Sequence, residues 1–481
     1  MKKIILFSTL CASLFLGSCS SSFLDQEPPL YVNENDIFTS PTRIEATLNG
    51  LYAAIKNTGT KSLMGGKSYL VFDNRGDDVI NISNNLVTLF NTYNMNVGIT
   101  DAENADTWTY AYLAINKVNT FLQSLEGARE VAGENYDRYV QEAKFVRALA
   151  YYYLNNLYPT PYSVNPDAKS VPLRLTAEAG TENNNMPRST VKQIYEHILS
   201  DLENISALDT EVNTYTGVTH ATQAAANMLK MRVYMAMNEW DKAIAAGELV
   251  TGYSLPEDVT LIYKAPYFSQ ESIFSLPMAD TNIPNTQQSL AEYYYDGKIM
   301  LIDTKSGIMS KPDYSLATDK RIIAFKGEKD LLMKFTDAKT KLQWVPIFRY
   351  AETLLDLAEC YANKAGGEAT AKSLLKQVRG RSVDAATDPL NIDNLSGDAL
   401  KEAIYNEKRL EFIGEGIRGI DIMRRGEHFI KVGENETINV GPSDEKYTWP
   451  IPQVELLLNK DINKVSSINS IYPLVSDSRT L

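Results

Sequence analysis

The chain has 481 residues, 44% hydrophobic and 22% charged, the balance of an ordinary globular protein rather than a disordered or collagen-like one. Beyond the extreme N-terminus no apolar run reaches the roughly 18 residues of a spanning helix, which excludes a polytopic membrane protein. Lys plus Arg number 47 against 60 Asp plus Glu, a net charge of -13, so the clustered basic footprint that coats nucleic acid is missing.

The chain opens on Met1, Lys2 and Lys3, followed by an apolar stretch from Ile4 to Leu16 that is too short to span and has the build of a secretory signal. It ends Leu16-Gly17-Ser18-Cys19 and turns abruptly to Ser20-Ser21-Ser22. This resembles a bacterial lipobox, which implies a signal peptide over 1–18, cleavage before Cys19 and acylation of Cys19. Plain secretion with a chance cysteine is the other reading. A multiply acylated cysteine gives firm membrane attachment, unlike a single chain. The mature chain then keeps Cys19 and Cys360, so no disulfide framework is available. Cys360 lies in a helical pattern and reads as a small buried hydrophobe.

Downstream the pattern is predominantly helical. Ile44, Leu48, Leu51 and Ile55 recur at threes and fours, one face of a helix. From Trp108 the same spacing carries Ala111, Ile115, Val118, Leu122 and Leu125, and Tyr139, Ala143, Val146, Ala150, Tyr153 and Leu157 repeat it. Val191, Ile194, Ile198, Leu202 and Ile205 follow Ser189-Thr190, good N-cap residues. Two segments look like one repeated unit. Ala226, Leu229, Val233, Ala236 and Trp240 mark a helix, Asn238-Glu239 a turn, and Asp241, Ala243, Gly247 and Val250 a second helix. Ala351, Leu354, Ala358 and Tyr361, then Gly366-Gly367, then Ala371, Leu374 and Val378 do the same. This resembles the tetratricopeptide helix–turn–helix in degenerate form. Stacked pairs share a continuous core, so residues 19–481 are expected to form one domain, although length alone would allow about three.

Three segments lack helical period: 57–103, 158–188 and 252–346. The first is rich in Gly and Asn, with strand-like pieces at Tyr69-Leu70-Val71-Phe72 and Leu86-Val87-Thr88-Leu89-Phe90. The second carries five prolines, and the third the triplet Tyr293-Tyr294-Tyr295. Long irregular segments rich in aromatics are expected to be functional loops.

A search for chemistry finds little. His197, His220 and His428 are far apart in sequence and outside any zinc-type spacing. There is no Gly-x-Ser-x-Gly elbow, and Gly65-Gly66-Lys67-Ser68 lacks the first glycine of a phosphate-binding loop. Asp73-Asn74-Arg75-Gly76-Asp77-Asp78 gathers three carboxylates, but its glycine is fourth where a calcium loop needs it sixth, and a solvated turn is the favoured reading. The densest charged run is 406–425, where Glu407, Glu411 and Glu415 lie four apart as on one helix face and Arg418 and Asp421 continue it. Interleaved apolar residues imply burial, and an ion-pair network clamping helices together is preferred to an anion site. Trp108, Trp240 and Trp449 are assigned to packing.

The same run, Glu407-Lys408-Arg409-Leu410-Glu411 through Glu415-Gly416-Ile417-Arg418 to Asp421-Ile422-Met423-Arg424-Arg425, resembles the C-terminal signature of the SusD/RagB family. Arg349-Tyr350-Ala351-Glu352 and Val378-Arg379-Gly380-Arg381 resemble the helix pair before it. Phe23-Leu24-Asp25 with Pro28, Leu48-Asn49-Gly50-Leu51-Tyr52, Met186-Pro187-Arg188-Ser189-Thr190 and Trp449-Pro450-Ile451-Pro452 match in order along nearly all of the mature chain. The end departs from the pattern, with Asn459-Lys460 and Ile462-Asn463 where the family has Asn-Pro and Gln-Asn.

The resemblance implies a mainly α, tetratricopeptide-like scaffold with long irregular loops and a few short strands. It further implies a non-enzymatic lipoprotein of the outer membrane, facing the cell exterior. No cofactor or metal is expected, with an adventitious or ligand-bridging calcium at 73–78 as the alternative, and the acidic balance argues against a nucleic-acid partner. Such a protein captures a nutrient, first of all an oligosaccharide, as the lid of a SusC-like TonB-dependent transporter. A peptide-capturing member of the family, a helical scaffold with no nutrient, and a surface glycosidase are the alternatives. No ligand residue transfers by motif, so the expected contacts are chosen from the irregular segments: Tyr69, Asp73, Arg75 and Tyr93 from the first, Tyr267, Tyr294 and Tyr295 from the third. Flat aromatic faces stack on sugar rings, and Asp or Arg reads hydroxyls.

Overall fold

The computed structural model describes residues 37–464, apart from 58–60, 62, 181 and 434–435. Cys19, the signal segment and the Phe23-Leu24-Asp25 motif lie outside the described residues. Helix α1 (Pro41–Lys56) starts where Ser40 accepts from the Arg43 N–H and Pro41 needs no partner for its nitrogen. Its Ile44, Leu48, Leu51 and Ile55 stripe is buried. Helix α2 (Lys67–Arg75) follows, then α3 (Ala102–Gly127) and α4 (Tyr136–Asn155), which pack on one another and on α1. At the start of α5 (Val191–Asp201) Thr190 and Gln193 exchange side-chain and backbone hydrogen bonds in a capping box.

The two expected helix pairs are present. Helices α6 (Gln223–Ala236) and α7 (Trp240–Gly247) form the first, α8 (Tyr350–Ala362) and α9 (Glu368–Ser382) the second. Trp240 opens α7 rather than closing α6, because Asn238 takes a left-handed φ of 59° and ends the first helix ahead of it. The α7–α8 approach depends on Gly247, where a Cβ would come within 2.6 Å of Met231 Sδ and 2.8 Å of Leu357. Helix α10 (Gly397–Glu411) packs on α8, and α11 (Ile417–Arg424) packs on α2. The expected helix face through Glu415 and Asp421 is therefore broken. Gly414 and Gly416 sit at φ of 82° and 71°, conformations glycine reaches without a Cβ clash, and they turn the chain between α10 and α11.

Among the described residues the strands form three two-stranded antiparallel ladders. Strand β1 (Val79–Asn81) pairs with β3 (Met300–Ile302), β2 (Ser272–Leu276) with β4 (Val345–Arg349), and β5 (Phe429–Val432) with β6 (Thr437–Val440). The β1–β3 ladder joins the first irregular segment to the third. The strand-like pieces at Tyr69–Phe72 and Leu86–Phe90 are not strands: the first is the middle of α2, the second a 3-10 turn leading into a short helical turn, Phe90–Tyr93. Every residue of α2 is buried, so its apolar run carries no helical period, and burial on all sides decides the conformation. The largest apolar core runs from Ile44 to Ile462, with a second beneath α8, α9 and α10. Among the described residues no helix is long and apolar enough to cross a membrane.

Candidate ligand-binding surface

Four of the seven expected contacts face inward. Tyr69, Asp73 and Arg75 lie on α2, and Tyr294 is buried beside them. Asp73 accepts from the Tyr294 hydroxyl at 2.5 Å and from the Gly416 N–H at 3.1 Å. Arg75 donates to the Tyr447 carbonyl at 2.5 Å and lies 4.9 Å from the Phe429 ring centroid. Tyr69 packs against the Gly416 backbone. These groups are buried and bind other parts of the same chain. Burial lifts the Asp73 carboxyl to about 7, against the pull of Tyr294, the Gly416 N–H and Lys334. The sign follows: a carboxyl that holds its proton more tightly when folded supports stability below its unfolded value and loses that support as pH rises through about 7. Asp73→Asn should therefore flatten the pH dependence of stability between about pH 4 and 7 while leaving ligand affinity alone. Urea titrations across that range check it; a steeper loss of stability toward pH 7 in the variant would sink it.

The 73–78 segment is not the solvated turn expected from the sequence: Asp73, Asn74 and Arg75 close the buried helix α2, and the carboxylates are turned inward onto partners. Asp78 accepts from Arg409 at 2.6 Å and from the Ile308 N–H at 2.7 Å, and Asp77 from Arg418 at 2.9 Å. Among the described residues there is no group of three or more His, Cys, Asp or Glu that could hold a metal. The three histidines pair with Asp201, Asn49 and Asn439, and Cys360 is buried.

Tyr93 does border open space. Its ring lies in the wall of a solvent-facing pocket of about 210 Å³ between the 80–94 segment and the end of the β5–β6 hairpin. Apolar walls come from Ile80, Ile82, Phe90 and Val432, and amide and hydroxyl groups from Asn81, Ser83, Asn84 and Asn94. The pocket is rigidly built. Asn81 donates to Asn74 Oδ1 at 2.9 Å and to the Thr88 carbonyl at 2.8 Å, and accepts from the Ser83 N–H at 3.0 Å. Tyr93 ties the two sides together by donating to the Val432 carbonyl at 2.6 Å. The lining residues Ile82 and Val432 are exposed, as are Leu86, Val87 and Ile430 in the same two segments of chain. Sequence reasoning misses Asn84 and Phe90; the Asn-rich composition of 81–94 was the available signal.

Tyr267 and Tyr295 reach the surface elsewhere. Tyr267, half-buried at a left-handed φ of 68°, lies 6.4 Å from the Trp344 ring centroid. Phe268 stacks on Trp344 at 5.7 Å and 16°, and the exposed Tyr215 meets it edge-on at 5.6 Å. A bulky residue held at positive φ is costly, and here it turns a ring toward this aromatic cluster. Tyr295 is exposed on the turn whose Tyr293 hydroxyl donates to the Val87 carbonyl at 3.3 Å. The seven expected contacts therefore do not form one site.

Comparison with known proteins places this architecture. Residues 22–235 match a family described as starch-binding and associating with the outer membrane, and residues 329–467 match the SusD family itself. The chain belongs to the SusD family. A SusD-like protein of Formosa agariphila is 23% identical, with 98% of this chain and 99% of the relative aligned. A SusD superfamily protein of Bacteroides thetaiotaomicron superposes with a TM-score of 0.77 at 23% identity, covering 88% of this chain and 99% of the other. Surface glycan-binding protein A of the same organism gives a TM-score of 0.70 at 20% identity, over 88% and 98% of the two chains. These structural likenesses share the fold.

In this SusD-family chain the charged C-terminal signature is spent on the scaffold. Glu411 accepts from Arg349 and Arg381 at 2.6 Å each and from Arg321 at 3.2 Å, and Glu415 from Lys334 at 2.6 Å and Arg349 at 3.0 Å. Glu407 holds Arg321 at 2.5 Å and Arg379 at 3.0 Å. Lys408 bridges Asp356 and Asp421, and Arg424 holds Glu359 and Asp421. All these side chains are buried. The network preference drawn from the sequence describes what is there: each charge has an opposite partner.

Proposed function

We propose that this SusD-family protein captures a nutrient oligosaccharide at the cell surface and acts as the lid of a SusC-like TonB-dependent transporter. In this reading residues 1–18 are removed, Cys19 carries the lipid anchor in the outer membrane, and residues 19–481 are one outward-facing body. The observation that carries the reading is the pocket at 80–94 and 432–433, a concave surface of amides and apolar walls built outside the helical stack. Its described lining has no Asp, Glu, His, Cys or Lys to serve as general acid, base or nucleophile, which supports binding without turnover. Family membership supports the transporter as partner.

The exposed apolar side chains of Ile82 and Val432 in the pocket, with Leu86, Val87 and Ile430 exposed in the same segments, favour a second reading, capture of a peptide. Isothermal titration of the purified full chain against plant, host and microbial oligosaccharides and a mixed peptide digest separates the two. Saturable heat with a saccharide class and unchanged ligand after incubation is the expected result. Heat with peptides alone would replace the saccharide by a peptide, and loss of ligand by hydrolysis would overturn the non-enzymatic reading.

A further inference from the structure

The charge character of the pocket narrows the class of sugar it can hold, given the capture reading above. No lysine, arginine or histidine is among the described residues that line it. An acidic or sulfated sugar unit would lose water on entering and find no counter-charge, and an unpaired ion moved out of water is the costliest group to bury. Lys431, close to Tyr93, is no substitute. It is buried beneath the Tyr93 ring, its Nζ 4.4 Å from the centroid and bonded to the Asn74 carbonyl. Burial, then Asp303, push the Tyr93 hydroxyl up to about 12, so it stays a neutral donor already committed to Val432.

The remaining surface is mixed in a specific way. Ile80, Ile82, Phe90 and Val432 offer apolar contact that a fully hydroxylated sugar edge cannot use, while Asn84 and Ser83 offer neutral donors and acceptors. At about 210 Å³ the pocket is smaller than the roughly 300–1,000 Å³ of a drug-sized site, a scale of one or two sugar units. We propose that it selects an uncharged sugar unit carrying a methyl-bearing substituent, as in a 6-deoxyhexose or an N-acetylhexosamine, and rejects uronic acids and sulfated sugars.

The test is a titration of the full chain with matched oligosaccharides that differ only in this group: 6-deoxy, N-acetyl, unmodified, uronate and sulfate, each at low and at high salt. The methyl-bearing neutral members should bind at least about tenfold tighter than the acidic ones, with affinity unchanged by salt. Asn84→Ala and Ile82→Ala, both exposed positions, should each weaken binding about three- to tenfold. An acidic member that binds best, loses affinity with salt and is still weakened by these variants would overturn the class and leave the pocket as the capture site. Saccharide binding indifferent to both variants would overturn the pocket itself. No binding by any neutral methyl-bearing member also overturns the class.

Discussion

Glu411→Ala should destabilise the protein by about 3–5 kcal/mol, a large share of the roughly 5–15 kcal/mol by which a folded domain is stable. One carboxylate stands against three guanidiniums, those of Arg321, Arg349 and Arg381, and its side chain is 2% exposed. Removing it leaves those cations short of a partner inside the core, and the cost is that of buried charge rather than of lost hydrogen bonds alone. Burial by itself would raise the Glu411 carboxyl; Arg381, Arg349 and Arg321 overcome it and hold the group well below the usual range. A carboxyl depressed in this way stabilises the fold above its unfolded value near 4.3 and loses that contribution as pH falls through its lower folded value. Glu411→Gln should cost less, since an acceptor remains, and should blunt the acid limb. The exposed pair Lys320 and Glu257, at 3.4 Å, provides the contrast: Lys320→Ala should cost less than about 1 kcal/mol. Urea unfolding at neutral and acidic pH measures all three. A Glu411→Ala loss no larger than the Lys320→Ala loss would mean that the cluster contributes no net stability.

The helix pairs were legible because a three-and-four apolar spacing survives even in α8, which is buried all round: alongside Ala351, Leu354 and Ala358 stand Glu352, Asp356 and Glu359, buried as ion pairs with Arg232, Lys408 and Arg424. Helix α2 was not, since nothing in Tyr69-Leu70-Val71-Phe72 distinguishes burial on all sides from a buried strand. The charged signature announced pairing by its composition. It did not announce its partners: Arg321, Lys334 and Arg349 come from elsewhere in the chain. The same blindness explains the contacts. Asp73, Arg75 and Tyr294 look like hydroxyl readers in an Asn-rich, aromatic segment, yet Asp73 meets Tyr294 across 221 positions and Arg75 meets Tyr447 across 372. Sequence composition marks a segment as polar and aromatic; only the tertiary pairing decides which of those groups are consumed inside. Around Tyr93 the lining residues Asn84, Phe90 and Asn94 are local in sequence, whereas Val432 and Gly433 on the other side come from far along the chain.

Gly419→Ala should lower stability by about 1–3 kcal/mol and weaken ligand capture, although the residue lines no part of the pocket. Gly419 lies on α11 where it crosses α2, and a Cβ there would stand 3.1 Å from the Phe72 carbonyl carbon and closer still to its oxygen. The obstacle is backbone inside a buried helix, so no side chain can swing aside. Alanine's better helix propensity, about 1 kcal/mol, opposes the change but cannot remove the overlap. Helix α2 must move, and it carries Asn74, which accepts from Asn81 in the pocket wall at 2.9 Å and whose carbonyl holds Lys431 on the opposite side. A shift of α2 therefore reaches both halves of the pocket through two hydrogen bonds. Gly380→Ala separates propensity from packing, since a Cβ at Gly380 in α9 meets nothing within 4 Å and should stabilise by about 0.5–1 kcal/mol. Thermal unfolding and saccharide titration of both variants give two readouts. A lowered melting temperature with unchanged affinity would uncouple α2 from the pocket, and an unchanged melting temperature in Gly419→Ala would mean the α2–α11 crossing yields without cost.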